Sequence, residues 1–454
     1  MNKLFGTDGI RGKVGKYPLT KNAVFTIGRA LGLWLKQQYP EQKSSLKILI
    51  GKDTRESGSE LELALLKGVK YEGLKVRRIG ICPTPTVAYL THVLGAHLGV
   101  AISASHNPCT DNGIKFFDAS GYKLFPLAEK SLEEIFFSLS LEEIDLNLST
   151  EDLREDSKAV ALYSEFAKNS LNSLRLAGLR VVIDCAHGSF SKIAPGVFRD
   201  LGAEVYAINN QPNGRNINAN CGTLHPEMMA EETLQQEANI GIAFDGDGDR
   251  IIVADEQGKV LDGDYILAIL AQYFTERKEL AGNSIICTQM SNIGLELFLE
   301  RLGIRMIRTK VGDKYVLEEM FKTKTSLGGE QSGHIILLEQ TTTGDGLLVA
   351  LALIKVMLKT KKTLSELSRN LEKFPQVLLN IKVQEKLPLD EISNLNQTIQ
   401  RYQKELGRSG RLLVRYSGTE NLARVMVEGR EKSLVNHIAN SVARVIKDAV
   451  GERG

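Results

Sequence analysis

Several classes are excluded by what this sequence has little of. Its 454 residues hold only five cysteines, Cys82, Cys109, Cys185, Cys221 and Cys287, an odd number, widely spaced and with no C-x-x-C pair. That argues against a disulfide framework and a cysteine zinc site, and for a reducing compartment. There is no long run of one charge, and 57 Lys and Arg against 55 Asp and Glu leave a net charge of +2. Neither a nucleic-acid surface nor a polybasic membrane patch is indicated. The longest apolar run, 347–354, stops at Lys355, and residues 1–8 hold no signal-peptide core. No membrane span or secretory leader is expected, and the reading is a cytoplasmic protein acting on a small soluble substrate.

What is present is ordinary for a globular chain: 43% hydrophobic and 25% charged residues, in a length sufficient for about three domains with their own cores. Helical and apolar stretches alternate. A helix to about Gln38 precedes a strand at 47–51, a helix at 58–72, a strand at 76–81, a helix after Pro83 and a strand at 97–102. That order implies a largely parallel sheet. An internal echo follows: KGVKYEGLKVRRIG from Lys67, VFRDLGAEVYAIN from Val197 and LFLERLGIRMIRT from Leu297 each read as helix end, glycine, strand. Three occurrences about one domain apart point to three copies of one α/β unit. The acidic, glycine-free stretch 139–156 reads as a helix or linker leaving the first copy. After Phe374-Pro375 the texture changes to strand, helix, strand-loop-strand, helix, an α+β pattern.

The chemistry-bearing residues sit at ends of these strands. Asn107-Pro108 turns the chain out of the apolar run 97–102, so Ser103 and Ser105 lie at a strand's C-terminal edge, where ligands of open α/β sheets collect. Ser105, beside His106 and Asn107, can serve as a nucleophile or carry a phosphoryl group. The strand 240–244 delivers Asp245-Gly246-Asp247-Gly248-Asp249-Arg250. Three carboxylates alternating with glycines offer hard oxygens to a divalent cation, and Mg²⁺ is the choice because it shares carboxylates with phosphate oxygens. A calcium EF-hand loop would place glycine where Arg250 stands, and helices where apolar strands flank the loop.

Three further loops are informative only in company. Phe5 to Gly12, FGTDGIRG, puts Arg11 among glycines, without the spacing of a dinucleotide or P-loop fingerprint. Gly329 to His334, GEQSGH, offers donors and acceptors suited to sugar hydroxyls. Arg415-Tyr416-Ser417-Gly418-Thr419, followed at Arg424, supplies guanidinium groups, hydroxyls and free backbone amides fit for a phosphate dianion.

Taken in order, FGTDGIRG, SASHNP, DGDGDR, GEQSGH and RYSGTE resemble the signatures of the α-D-phosphohexomutase family across essentially the whole chain. The resemblance implies three related α/β domains with mixed, largely parallel sheets and a smaller C-terminal α+β domain around a central cleft. Their expected bounds are 1–155, 156–256, 257–372 and 373–454. It implies that Ser105 is phosphorylated in the resting protein, and that Asp245, Asp247 and Asp249 hold one Mg²⁺ with a phosphoserine oxygen. His106 and Arg250 contact that phosphate. Glu330, Gln331 and Ser332 read the sugar, and His334, beside them, is counted with Ser105, Lys115 and Arg11 among the catalytic residues. Arg415, Ser417, Gly418, Thr419 and Arg424 anchor the phosphate that is not transferred. Arg11 and Lys115 match basic residues at the reacting end, with Lys115 as a general base.

The implied reaction moves a phosphoryl group between two hydroxyls of one sugar through a 1,6-bisphosphate. Gln331 and the FGTDGIRG opening match the glucosamine branch, making a hexosamine phosphate the substrate and glucosamine 1,6-bisphosphate the intermediate. Its product would feed UDP-N-acetylglucosamine synthesis. The phosphomannomutase/phosphoglucomutase branch is the alternative. A homodimer is the assembly allowed for. Departures from the pattern stand at Cys109, Tyr416 and Asn421, none of which removes a group given a chemical role. The rivals are a metal-dependent sugar-phosphate phosphatase, which would release free phosphate, and a non-catalytic sugar-phosphate or calcium-binding protein, in which Ser105→Ala would change nothing.

Overall fold

The computed structural model of the chain describes residues 3–6, 8–141, 154–417 and 421–451. Most of the stretch expected to be a helix or linker, 142–153, lies outside the described residues. The chain forms two compact units, 1–289 with 307–368, and 290–306 with 369–454. The first unit carries two five-stranded sheets.

In the first sheet the strands are β1 (Ile10–Lys13), β2 (Lys47–Lys52), β3 (Lys75–Ile81), β4 (Leu98–Ile102) and β5 (Asp111–Asp118), in the order β1-β5-β4-β2-β3. β2 pairs in parallel with β3 and β4, while β5 runs antiparallel to β4 and to β1. β4 is buried at every residue, as its unbroken apolar run demands when helices cover both faces. Each fully buried Leu or Ile of such a strand is worth about 1.5–3 kcal/mol over an exposed one. The helices Lys21–Gln38 and Gly58–Tyr71 share one core with it through Leu31, Leu65, Leu98 and Val100, while Val87 and Ala88 of the helix Thr84–Val93 fill the core on the other face.

The second sheet repeats this plan. β6 (Arg180–Asp184), β7 (Glu204–Ile208), β8 (Ile240–Phe244), β9 (Ile251–Ala254) and β10 (Val260–Leu261) lie in the order β10-β9-β8-β6-β7. Here β6 pairs in parallel with β7 and β8, as β2 does with β3 and β4, and β9 turns back antiparallel to β8, as β5 does to β4. The third sheet, β12 (Arg305–Thr309), β11 (Ser284–Thr288), β13 (Leu327–Gly329) and β14 (Ile335–Leu337), keeps the same order without an edge strand; β11 and β13 are parallel, β13 and β14 antiparallel. The three echoed stretches occupy one position in this plan. Gly73, Gly202 and Gly303 each end a helix with φ of +78°, +97° and +72° and lead into β3, β7 and β12, a left-handed geometry that glycine adopts without strain.

In the second unit, β15 (Gln376–Lys382), β16 (Gly410–Tyr416) and β17 (Leu422–Gly429) form an antiparallel sheet in the order β15-β17-β16. The helix Lys432–Val450 buries Val435, Ile438, Ala439, Val442 and Ile446 in that sheet's core, the three-and-four spacing of a single apolar stripe. The α+β order expected after Pro375 is therefore what the chain adopts. Among the described residues no helix is long and apolar enough to cross a membrane.

Candidate functional site

Three of the loops singled out in the sequence hang from the same place in the three sheets. The turn 103–113 opens after the pair Ile102 and Ile114 of β4 and β5. The loop 245–250 opens after Phe244 and Ile251 of β8 and β9, and 330–334 after Gly329 and Ile335 of β13 and β14. Each sits where a parallel strand ends and an antiparallel one begins. Strands, not helices, flank the aspartate loop, so the EF-hand alternative fails in three dimensions as in sequence.

The Ser105 turn is tightly tied. Ser103 Oγ donates to Asp53 Oδ2 at 2.6 Å and accepts from the Ser105 amide at 2.9 Å. Ser105 is buried, with φ of +53°, a conformation that a residue with a Cβ keeps only where its surroundings enforce it. Its Oγ donates to Asp245 Oδ2 at 2.5 Å and lies 3.4 Å from both Asp249 Oδ1 and His106 Nδ1. Residues 140 and more apart in sequence thus meet in one buried cluster.

Oxygens of Asp245, Asp247 and Asp249 all lie within 4.8 Å of one another. Lys115 Nζ reaches across to Asp247 Oδ2 and Asp249 Oδ2, both at 2.8 Å, and lies 3.4 Å from Asp8 Oδ2. Burial drives the Asp245 carboxyl well above its usual range, and the charges of Asp249 and Asp247 add to this. Asp249 goes the other way: burial alone would raise it, but Lys115, His334 and Arg250 outweigh burial and hold it far down. Burial also opposes the Lys115 ammonium, yet Asp247, Asp249 and Asp8 hold its pKa well above the ordinary lysine value. The sequence reading makes Lys115 a general base; here three carboxylates outweigh its desolvation and favour its charged form.

The donor set fits Mg²⁺. It is all hard oxygen, and Asp247 Oδ1 is buried with no hydrogen-bond partner, a costly state for a carboxylate oxygen that coordination would relieve. Asp247 Oδ2 also accepts from Thr84 Oγ1 at 2.5 Å, and the Arg250 amide donates to Asp245 Oδ1 at 3.1 Å. Arg250 Nε stands 3.9 Å from Asp249. Burial, with Arg250 and Arg11 nearby, lowers His106 to about 4, so its ring is neutral at physiological pH.

A chain of charge extends from this centre. Asp8 binds Arg11 Nη2 at 2.5 Å and Lys123 Nζ at 2.5 Å, and Lys123 also pairs with Asp313. Asp313 Oδ2 lies 3.7 Å from His334 Nε2. Arg11 Nη1 donates to the Ala104 carbonyl, next to Ser105. In the 330–334 loop, Glu330 Oε1 accepts from the Gly312 amide at 3.1 Å and Oε2 from Ser332 Oγ at 3.4 Å. Gln331 is half-buried, Ser332 exposed and His334 buried. Thr84, Asp8, Lys123 and Asp313 were not foreseen, and Asp8 alone had a signal, its place inside FGTDGIRG.

The second unit holds the remaining candidates. Arg415 and Arg424 stand directly opposite in the β16–β17 ladder. Burial and Arg424 together lower the Arg415 guanidinium. The Ser417 amide donates to the Leu422 carbonyl at 2.8 Å, and Lys386, which the sequence did not flag, donates to the Ser417 carbonyl at 2.8 Å. Gly418 and Thr419 lie outside the described residues.

Comparison with known proteins agrees with this assembly. Residues 2–143, 161–258, 262–374 and 378–445 match, in turn, the family models of phosphoglucomutase/phosphomannomutase alpha/beta/alpha domains I, II and III and its C-terminal domain. The chain is 47% identical over 450 residues to the phosphoglucosamine mutase of Carboxydothermus hydrogenoformans, covering 98% of this chain and 100% of that one. It is 44% identical to that of Desulfotalea psychrophila, covering 98% and 99%. In fold it resembles a phosphoglucomutase/phosphomannomutase family protein from Burkholderia thailandensis, with TM-score 0.77, 22% identity and coverage of 98% and 97%. It also resembles the Aspergillus fumigatus N-acetylphosphoglucosamine mutase solved with GlcNAc-6P and magnesium, with TM-score 0.66, 18% identity and coverage of 98% and 96%.

Proposed function

We propose, for a chain that belongs to the phosphoglucomutase/phosphomannomutase family, the interconversion of glucosamine 6-phosphate and glucosamine 1-phosphate by way of a phosphorylated Ser105. The observation that carries the chemistry is the Ser105 hydroxyl, buried 2.5 Å from Asp245 among three carboxylates. The choice of sugar is supported by 44–47% identity to phosphoglucosamine mutases over nearly the full chain.

Phosphoryl transfer asks for alignment and charge neutralisation more than for covalent help. Phosphorylated Ser105 gives its phosphoryl group to the free hydroxyl of the sugar phosphate, breaking the P–Oγ bond as the new P–O bond forms. Glucosamine 1,6-bisphosphate results, reverses end for end, and returns its other phosphoryl group to Ser105. Asp245, Asp247 and Asp249 would hold Mg²⁺, which when bound would supply charge neutralisation to the transferring oxygens. Arg11, Arg250 and neutral His106 hold the phosphoryl end. The proton of the attacking hydroxyl passes to Lys115 in its neutral form, which Asp247, Asp249 and Asp8 disfavour while their charges are uncompensated. Glu330, Gln331, Ser332 and His334 meet the sugar hydroxyls and amine. Arg415, Ser417, Gly418, Thr419 and Arg424 grip the phosphate that stays.

The four-part division at about residues 155, 256 and 372 belongs to this reading. So do a homodimer and a cytoplasmic location, the latter supported by five free cysteines.

The test offers glucosamine 6-phosphate, glucose 6-phosphate and mannose 6-phosphate separately, with Mg²⁺ and a trace of the matching bisphosphate, and scores 1-phosphate and inorganic phosphate. A strong preference for glucosamine with little free phosphate is expected, and its loss in Ser105→Ala. Free phosphate without interconversion would sink the mutase; preference for glucose or mannose would overturn the role of Gln331 alone.

A further inference from the structure

Ser105 is not held by its own turn alone. Arg55, fully buried, places Nη2 at 3.0 Å from the Ser105 carbonyl and 2.8 Å from the Asn107 carbonyl. Its Nη1 donates to the carbonyls of Pro108 and, at 3.0 Å, Asp111. Its Nε is anchored on Asp53 Oδ2 at 2.9 Å, the oxygen that also receives Ser103 Oγ. From the opposite side Asn218, in the loop after β7, sends Nδ2 to the same two carbonyls, Ser105 at 2.9 Å and Asn107 at 3.1 Å. Gly246, between the first two aspartates of the cluster, closes the third side. A Cβ there would stand 2.7 Å from the Ser105 carbonyl and 2.8 Å from Asn218 Nδ2.

Two carbonyls, each bound by two side chains from two different sheets, over-determine a turn whose serine sits at φ +53°. The contacts of Arg55 Nη1 and Nη2 and of Asn218 Nδ2 are all to backbone carbonyls. Their target is the backbone that fixes where the Ser105 hydroxyl stands relative to Asp245. We propose that Arg55 and Asn218 are positioning residues that lock Ser105 in its left-handed conformation and so set the line of phosphoryl transfer. Asn218 belongs to the second sheet's loops, so the aim of the serine in the first repeat is set in part by the second. This inference rests on Ser105 as the phosphoryl carrier.

The experiment compares the full-length protein with Asn218→Ala and Arg55→Lys. It measures kcat and KM for glucosamine 6-phosphate, melting temperature, and the phosphorylated fraction of Ser105 by intact mass after incubation with the bisphosphate. Misplacement of a reacting atom by a fraction of an ångström costs about 10- to 100-fold in rate. The expected result is a fall of that size in kcat for Asn218→Ala, with KM changed less than about threefold and melting temperature kept. Lysine at 55 keeps the charge but not the planar fork, so it should fail to restore kcat. If Arg55→Lys does not fold, Asn218→Ala decides alone. Unchanged kcat in Asn218→Ala, or a rise in KM with kcat intact, would overturn the proposal. If the wild-type protein itself carries no phosphate on Ser105 and turns over without it, the carrier reading fails and takes this one with it.

Discussion

Around Ser105 opposite charges are interleaved, whereas around Ser417 like charges face each other. Asp247 and Asp249 share the Lys115 ammonium at 2.8 Å, and Asp8 is shared by Arg11 and Lys123. In the second unit Arg415 is paired across the ladder with Arg424, and the Lys386 ammonium donates to the Ser417 carbonyl just beyond β16. Like charges set directly opposite in a sheet are destabilising. The first arrangement is neutral enough to be stable without a ligand and holds an internal cation where an external one would go. The second sets two guanidinium groups face to face, an arrangement that the proposed function assigns to a phosphate. A buried carboxylate cluster points to a cation by the crowding of its oxygens, and a cradle of facing guanidinium groups points to an anion by the crowding of their charges.

The largest effect that would break this contrast concerns Lys115. Removing one partner of a buried ion pair costs about 3–5 kcal/mol, so Lys115→Met should lose stability on that scale in chelator, read by urea unfolding. Mg²⁺ should restore much of it. A loss under 1 kcal/mol would mean that the cluster is not neutralised from within.

Asp345 supplies a control, a buried carboxylate with hydrogen bonds but, among the described residues, no cationic partner. It accepts from Tyr163 Oη at 2.8 Å and from the Leu347 and Leu348 amides at 3.1 Å. Burial nonetheless pushes it up to about 6. Because the folded value lies above the unfolded one, the native state binds the extra proton between about pH 4 and 6, and stability falls as pH rises through that window. The fall is of order 3 kcal/mol, and Asp345→Asn should flatten it relative to wild type in unfolding curves at pH 4, 5 and 6. The same slope in both proteins would remove Asp345 as its cause.

Ligand arms sharpen the comparison further. Mg²⁺ at a hundred times its dissociation constant should add about 2.7 kcal/mol, lost in Asp247→Asn and kept in Arg424→Ala. The smallest effect is at the cradle itself. Arg424→Ala relieves a cross-strand like-charge pair worth about 0.2–1 kcal/mol, so its stability without ligand should stay level or rise, while KM for the sugar phosphate increases. A destabilisation as large as that of Lys115→Met would erase the distinction.

The strands were legible because their apolar runs are long and bounded: 240–244 is β8 to the residue, and the three helix-glycine-strand echoes became the same joint in three sheets. The motif loops stood out because they occur together and in order, not because any one of them is specific by itself. The pairing of Lys115 with Asp247 and Asp249 was not, since it spans more than 130 residues and depends on how two sheets pack. Arg55 and Asn218 were hidden for a different reason. Their partners are backbone carbonyls, which every residue has and no sequence displays. The pull of Asp247, Asp249 and Asp8 on Lys115 was equally hidden, because a lysine's charge state belongs to its neighbours.

The recurrence of one strand-end position in three sheets carries a consequence for how this molecule can change. Each sheet presents one loop at that position, and under the proposed function the three loops hold a phosphoryl carrier, a cation site and a hydroxyl reader. The scaffold beneath them is the same, so the sugar recognised can drift by rewriting residues 330–334 while the loops after β4 and β8 stay as they are. A lineage built this way would diversify its substrates along one loop and keep its chemistry in the other two.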